Sequence, residues 1–280
     1  MARSRQGLRG LRVAVTGGAQ GIGRSIAERL VAEGALVVIG DVQKDLADRT
    51  AEALGCTALA LDVTDGVEFE GFLDQAGAAL GGLDVLVNNA GIMPIGPFLE
   101  EDDRTTTRCV EIDLLGVLTG TKLAGRRFRE QGHGHVVNVA SALGTFASPN
   151  AATYCATKYA VVGLGEALRQ EWHGSGVQVS TICPGFVRTE LIAGMRPPAG
   201  TERLLMIDPE QVAASVVGAL ARGRSRTVSV PSHLVPSVKV FTLVPERLRD
   251  RVFRAVGGHR VTSGLDVEKR AAYQRRLENS

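Results

Sequence analysis

The chain has 280 residues, of which 44% are hydrophobic and 22% charged, with a formal net charge of +2. That is enough chain for one large domain or two small ones, and the balance is that of an ordinary globular protein. It excludes a bulk electrostatic attraction to nucleic acid or to a membrane surface.

The segment Met1–Gly10 is basic, and the apolar run after it, Leu11–Val15, ends at Thr16-Gly17. A secretory leader needs an apolar stretch of about 7–15 residues. The first ten residues are therefore expected to be a solvated lead-in. No stretch approaches the roughly 20 apolar residues of a spanning helix, which points to a cytoplasmic protein. Strands are predicted at Arg12–Thr16, Leu36–Gly40, Thr57–Leu61, Val85–Val87, His135–Ala140, Val177–Ile182 and Thr227–Val230. Most are short and continuously apolar, as strands covered on both faces are. Between them lie amphipathic segments such as Gly21–Glu33, with Ile22, Ile26, Leu30 and Val31 on one stripe and Gly34 as a stop. This alternation predicts a doubly wound α/β fold, a mainly seven-stranded parallel sheet flanked by helices in the Rossmann manner. Residues 1–230 read as one dinucleotide-binding and catalytic domain, and residues 231–280 as a basic, apolar, helical extension.

The four cysteines, Cys56, Cys109, Cys155 and Cys183, form no C-x-x-C pair and have no metal-like spacing. They read as reduced thiols, and no metal is expected. His133 and His135 flank Gly134 in a predicted turn and are expected to be solvated. Trp172 is expected in the core or at a subunit contact.

The first strand runs into Thr16-Gly17-Gly18-Ala19-Gln20-Gly21-Ile22-Gly23, and a helix follows. Glycines there let the backbone approach a pyrophosphate, and the helix start offers free N–H groups and positive dipole. The spacing differs from G-x-G-x-x-G but the placement is the same. Asp41 ends the second strand. Its carboxylate can accept both ribose hydroxyls of NAD and would repel the 2′-phosphate of NADP, which favours NAD; the other reading of Asp41 is a helix N-cap.

Tyr154 and Lys158 are four apart and share a helix face within Ala152–Arg169. An ammonium beside a phenol favours the phenolate and tunes an acid–base group. That spacing alone is common by chance. Ser141, Asn88-Asn89-Ala90-Gly91 and Pro184-Gly185, however, each follow a predicted strand, where the ligand crevice of such a sheet lies. Together with Asp62-Val63 and Thr189, these segments resemble the short-chain dehydrogenase/reductase family across about residues 10–230. The resemblance implies that Tyr154 is the general acid/base, that Ser141 orients the reacting oxygen, and that Lys158 lowers the Tyr154 pKa and holds the nicotinamide ribose. It places Gly17, Gln20, Gly21, Ile22 and Gly23 at the pyrophosphate, Asp62 and Val63 at the adenine, Asn89, Ala90 and Gly91 beside the cofactor, and Pro184, Gly185, Val187 and Thr189 at the carboxamide end. It implies a homodimer or homotetramer. One position departs from the pattern: Asp113 stands in the helix Cys109–Leu123 where the family commonly has a relay asparagine. Asp113 either holds the relay water or serves as a structural acceptor.

The expected activity is hydride transfer between NAD(P) and an alcohol or ketone; the alternative is a cofactor-binding sensor or scaffold without turnover. Thr189–Ile207, containing Gly194, Pro197, Pro198 and Gly200, reads as a lid. Its Leu191, Ile192, Met195, Leu204, Leu205 and Met206 suggest an apolar, steroid-, retinoid- or lipid-like small-molecule substrate. In the extension, Arg247, Arg249, Arg251 and Arg254 alternate with Leu248, Val252, Phe253 and Val256. This helix is expected to cover a subunit or the active site ahead of making peripheral membrane contact.

Overall fold

β-branched residues are stiff at χ1 and suit a pleated backbone, and the valine- and isoleucine-rich runs of this chain are its strands. A computed structural model describes residues 8–192, 194, 195, 206–241, 243–255 and 270. In chain order the main elements are β1 (Arg12–Thr16), α1 (Gly21–Ala32), β2 (Leu36–Asp41), α2 (Lys44–Leu54), β3 (Thr57–Ala60), α3 (Gly66–Leu80) and β4 (Val85–Asn88). Then come α4 (Asp103–Val110), a π-helical segment (Glu111–Gly116), α5 (Val117–Glu130), β5 (Gly134–Val139), α6 (Ala152–Glu171) and β6 (Val177–Pro184). Last are β7 (Phe186–Val187), β8 (Met206–Ile207), α7 (Pro209–Arg222), β9 (Arg226–Val230), α8 (Leu234–Phe241) and α9 (Glu246–Ala255).

Seven strands form one parallel sheet in the order β3-β2-β1-β4-β5-β6-β9. The chain adds β2 and β3 on one side of β1 and β4 onward on the other, so at this switch point a crevice opens at the carboxyl edge. Alternate residues bury on opposite faces. Val13, Val15, Val137 and Val139 join Ile26, Leu30 and Val216 under α1 and α7. Ala14 and Val136 join Phe69, Phe72 and Phe128 under α3 and α5. Trp172 packs on this second core, against Gly125. The fold is the doubly wound one expected. Two differences are local: β7 and β8 are two-residue strands too short to have a pattern, and the run expected as one helix over 109–123 is interrupted by the π segment.

His135 corrects an expectation. β5 starts at Gly134, and His135, the first residue of the predicted strand, pairs within the ladder opposite Val85 and Gln178 and is not solvated. Its side chain is buried, with Nε2 2.9 Å from Ser180 Oγ. His133 does lie at the surface, 3.4 Å from Asp84. Burial pushes the His135 imidazole down to about 4, below its unfolded value of about 6.5. The unfolded chain therefore binds the proton first, and stability present at neutral pH is lost as pH falls through that window. The expected contribution is roughly 3 kcal/mol. Urea unfolding of wild type and His135→Asn at neutral and at acid pH should give the variant the shallower pH dependence by about that amount; equal slopes would mean that His135 is not held neutral.

Candidate active site

The phosphate loop is built from backbone. Gln20 caps α1 without a side-chain hydrogen bond, so the first amides of the helix meet no side-chain acceptor. A Cβ on Gly23 would lie 2.0 Å from the Gly17 carbonyl oxygen, so only glycine permits this tight turn. Asn89 Nδ2 donates to the carbonyls of Thr16 and Gly17 at 3.0 and 3.1 Å, and Thr16 Oγ1 accepts from the amides of Asn89 and Ala90. Asn89 and Ala90 thus tie β4 to the loop. Asp41 closes β2 with Oδ2 accepting from Ala19 N and Oδ1 from Gln43 N, both at 3.0 Å. It is not the N-cap of α2, a position Gln43 takes. Each of its oxygens keeps a further lone pair. Asp62 accepts from the amide and hydroxyl of Thr64, and Val63 is buried against Gly116. A cradle of amides without side-chain partners, next to an accepting carboxylate, fits the pyrophosphate and ribose diol of a dinucleotide.

On the other side of β1, Ser141 follows β5 and caps a single 3₁₀ turn, Ala142–Gly144, by accepting from Leu143 N at 3.1 Å. That turn rests on α6 because Gly144 has no side chain: a Cβ would stand 2.5 Å from the Lys158 carbonyl oxygen. The Ser141 hydroxyl, on the same wall as the Tyr154 phenol, favours its ionised form. Lys158 Nζ lies 5.5 Å from the centre of the Tyr154 ring. Its nearer partner is Asp113, whose Oδ2 is 3.0 Å away and whose Oδ1 accepts from Ile92 N at 2.7 Å. Lys158 is 4% exposed and Asp113 not at all. Gly91 faces this pair, leaving room for it. Asp113 sits in the π segment, where the widened turn frees backbone groups from the regular ladder.

The electrostatics of the cluster differ from the simple tyrosine–lysine picture. The Tyr154 phenol is pushed up to about 12, first by burial; Lys158 and Ser141 pull it down, while Asp113 and Cys109 push it up. Burial works against the Lys158 ammonium, but Asp113 and Tyr154 outweigh it, and its pKa is raised. Burial also lifts the Asp113 carboxyl above the usual carboxylate range, against the pull of Lys158 and the Ile92 amide.

Ser141 and Tyr154 open onto a concave, largely apolar cleft with few polar groups, the character of a small-molecule site. Pro184, Gly185, Val187 and Thr189 line it, together with Ile22 of the phosphate loop. Gly185 N donates to Val230 O, and Thr189 N and Oγ1 to Val187 O. Its other walls are Met93, Leu143, Phe146, Phe186, Leu191, Ile192 and Leu234, and no charged side chain lines it among the described residues. Of the expected lid, Leu191, Ile192, Met195 and Met206 belong to the apolar cluster around Tyr154; Pro197, Pro198, Gly200, Leu204 and Leu205 lie outside the described residues, as does Val256 of the tail. Asp41, Asp62 and Val63 stand apart from this cleft, at the ends of β2 and β3.

Thr121, Asn138 and Leu234 were not anticipated from the sequence. Asn88 Nδ2 donates to Asn138 Oδ1 at 2.8 Å and Thr121 Oγ1 at 3.2 Å, locking β4 to β5 and α5 beneath the site. A lone asparagine within the apolar strand Val136–Ala140 was the available signal. Leu234, from the extension, lines the cleft, and nothing local announces it.

The family model described as short chain dehydrogenase matches residues 12–199. The chain is 35% identical over 205 residues to 3beta-hydroxysteroid dehydrogenase 2 of Eggerthella lenta, covering 71% of this chain and 79% of that protein. It is 40% identical over 218 residues to cis-4-hydroxycyclohexanecarboxylate dehydrogenase of Sinomonas cyclohexanicum, covering 72% and 86%. The crystal structure of 3-ketoacyl-(acyl-carrier-protein) reductase from Brucella melitensis complexed with NADH superposes with a TM-score of 0.70 at 26% identity, covering 79% of this chain and 97% of that one. The site geometry and these matches agree: the chain belongs to the short-chain dehydrogenase family and is an oxidoreductase of that class.

Proposed function

We propose that this enzyme oxidises an apolar secondary alcohol, or reduces the corresponding ketone, with NAD. The observation that carries the reading is that Ser141 and Tyr154 line one uncharged, largely apolar cleft, with the Lys158 ammonium 5.5 Å from the centre of the Tyr154 ring. When bound, the oxidised nicotinamide supplies the hydride acceptor, and its positive ring favours a nearby phenolate. In the oxidising direction Tyr154 Oη takes the proton of the substrate hydroxyl. Ser141 donates to the same oxygen as its C–O bond gains double-bond character. Lys158 supplies positive charge on the far side of the phenol, and Asp113 holds Lys158 in place. Gly21, Ile22 and Gly23 offer amides to the pyrophosphate, the Gly17 amide being held by the Gly40 carbonyl, and Asp41 accepts from the ribose diol, which supports NAD over NADP. The relatives named for hydroxysteroid and hydroxycyclohexane substrates support a cyclic or lipid-like apolar alcohol.

A homo-oligomer is part of the proposal, supported by Leu115 and Tyr159, large residues left exposed on the π segment and α6. So is a cytoplasmic location: among the described residues no helix is long and apolar enough to cross a membrane, and all four cysteines are free.

Incubation with NAD or NADP and a panel of secondary alcohols at alkaline pH tests the reading. NADH formation, faster than NADPH formation and rising with the apolar size of the alcohol, is expected. Preference for charged or hydrophilic alcohols would overturn the substrate class. Asp113 makes a separate prediction. Its carboxylate raises the Tyr154 pKa, so Asp113→Asn should move the acid limb of the kcat/KM profile for alcohol oxidation to lower pH, by on the order of one unit. An unmoved limb would remove Asp113 from the tuning of Tyr154.

A further inference from the structure

The chain beyond the family-model match returns to the substrate cleft at a second point, from far along the sequence. Arg270 is buried, at 4% exposure. Its Nη1 donates to the carbonyl of Leu191 at 2.7 Å, and its Nη2 donates to the carbonyl of Met93. Those carbonyls belong to the segment after β4 and the turn after β7, two stretches far apart in sequence whose Met93 and Leu191 both line the cleft. Met93 and Leu191 also pack in the apolar cluster that holds the Tyr154 ring. A guanidinium is a rigid fork of donors that stays charged at all working pH values. Its planar fork bridges two backbone acceptors at a fixed separation, which the freely rotating donors of an ammonium do not impose. Burying such a group is unfavourable unless its donors are met, so its position between these two carbonyls is a specific one. Leu234, at the start of α8, lines the same cleft.

We propose that Arg270 is a specificity-determining, positioning residue: it clasps the Met93 and Leu191 walls together and so sets how well the cleft grips the apolar part of the substrate. The inference rests on the proposed oxidation of apolar alcohols. Arg270 touches neither Ser141, Tyr154 nor Lys158 through any bond described above, so it acts on the walls and not on the proton transfer. Without the clasp the two walls separate and the contacts made by the longer alkyl groups are lost. Short alcohols, which reach only Ser141 and Tyr154, lose little.

The test uses full-length wild type and Arg270→Met, which keeps an unbranched side chain and removes the donors. Isopropanol is compared with secondary alcohols of increasing alkyl length. For the longest, kcat/KM should fall by about tenfold through KM, with kcat held within about threefold. For isopropanol it should change by less than about threefold, and NAD affinity should not change. A uniform loss across the series, or no loss, overturns the proposal. Amide hydrogen exchange supplies a readout independent of turnover: exchange should quicken around Met93 and Leu191 in Arg270→Met and stay unchanged in β1, β4 and β5. Unchanged exchange at both walls overturns the clasp even if activity falls. If wild type oxidises none of the alcohols while exchange quickens as expected, the substrate reading fails and the clasp stands.

Discussion

Tyr154→Phe is expected to lower kcat by about a thousandfold or more while leaving NAD affinity within about threefold. The substitution removes one oxygen. The ring keeps its packing against Met93, Leu143 and Ile192, and Ser141 keeps its bond from the Leu143 amide. Nothing in the phosphate loop depends on the phenol, because that loop is held by Asn89 and Thr16. The loss therefore belongs to proton transfer alone. Single-turnover and steady-state rates with the best alcohol, together with calorimetric titration of NAD, check it. A variant retaining a tenth of wild-type kcat would mean that another group moves the proton.

Lys158→Met should abolish turnover and also destabilise the fold, for a reason specific to this chain. Lys158 faces Asp113 at 3.0 Å in a fully buried position. Removing one partner of a buried pair leaves an uncompensated charge and costs about 3–5 kcal/mol. Asp113 in this variant has a folded-state pKa raised above its unfolded value. The stability deficit relative to wild type is then smallest below the unfolded carboxylate pKa, near 3.9, and grows as pH rises toward neutrality. The double variant Lys158→Met with Asp113→Asn removes both charges and keeps the side-chain carbonyl that accepts from Ile92. It should recover most of the stability and none of the activity. Urea unfolding at neutral pH separates the effects. A Lys158→Met single variant as stable as wild type would show that Asp113 is protonated in the folded protein and leaves no uncompensated charge.

What could be read in advance follows from how local each feature is. The seven strands are short β-branched runs, and the glycine loop sits where β1 meets α1, so both are written in neighbouring residues. Ser141, Tyr154 and Lys158 were legible because strand ends and a four-residue helical spacing fix their places. The π segment was not, because it arises where the Asp113 carboxylate takes the Ile92 amide and the Lys158 ammonium, contacts made across 21 and 45 positions. His135 opens the strand expected over His135–Ala140, but its burial beside Ser180, 45 positions on, is a contact its neighbours do not display. Arg270 bonds to residues 79 and 177 positions away, outside the alternating run of Arg247–Val256, and no neighbouring residue marks it out. The expected lowering of the Tyr154 pKa by Lys158 is present, but burial, which a sequence does not display, outweighs it.

The central claim is that hydride leaves the alcohol carbon for NAD while Tyr154 takes the hydroxyl proton. Turnover of a secondary alcohol deuterated at the carbinol carbon, with NAD, in wild type and Tyr154→Phe, tests it most directly. The account expects the wild-type product to be NADH carrying one deuterium per ketone formed, and Tyr154→Phe to bind NAD and form neither. Deuterium lost to solvent, or NAD bound with no reduced cofactor across a broad panel of alcohols, would contradict it.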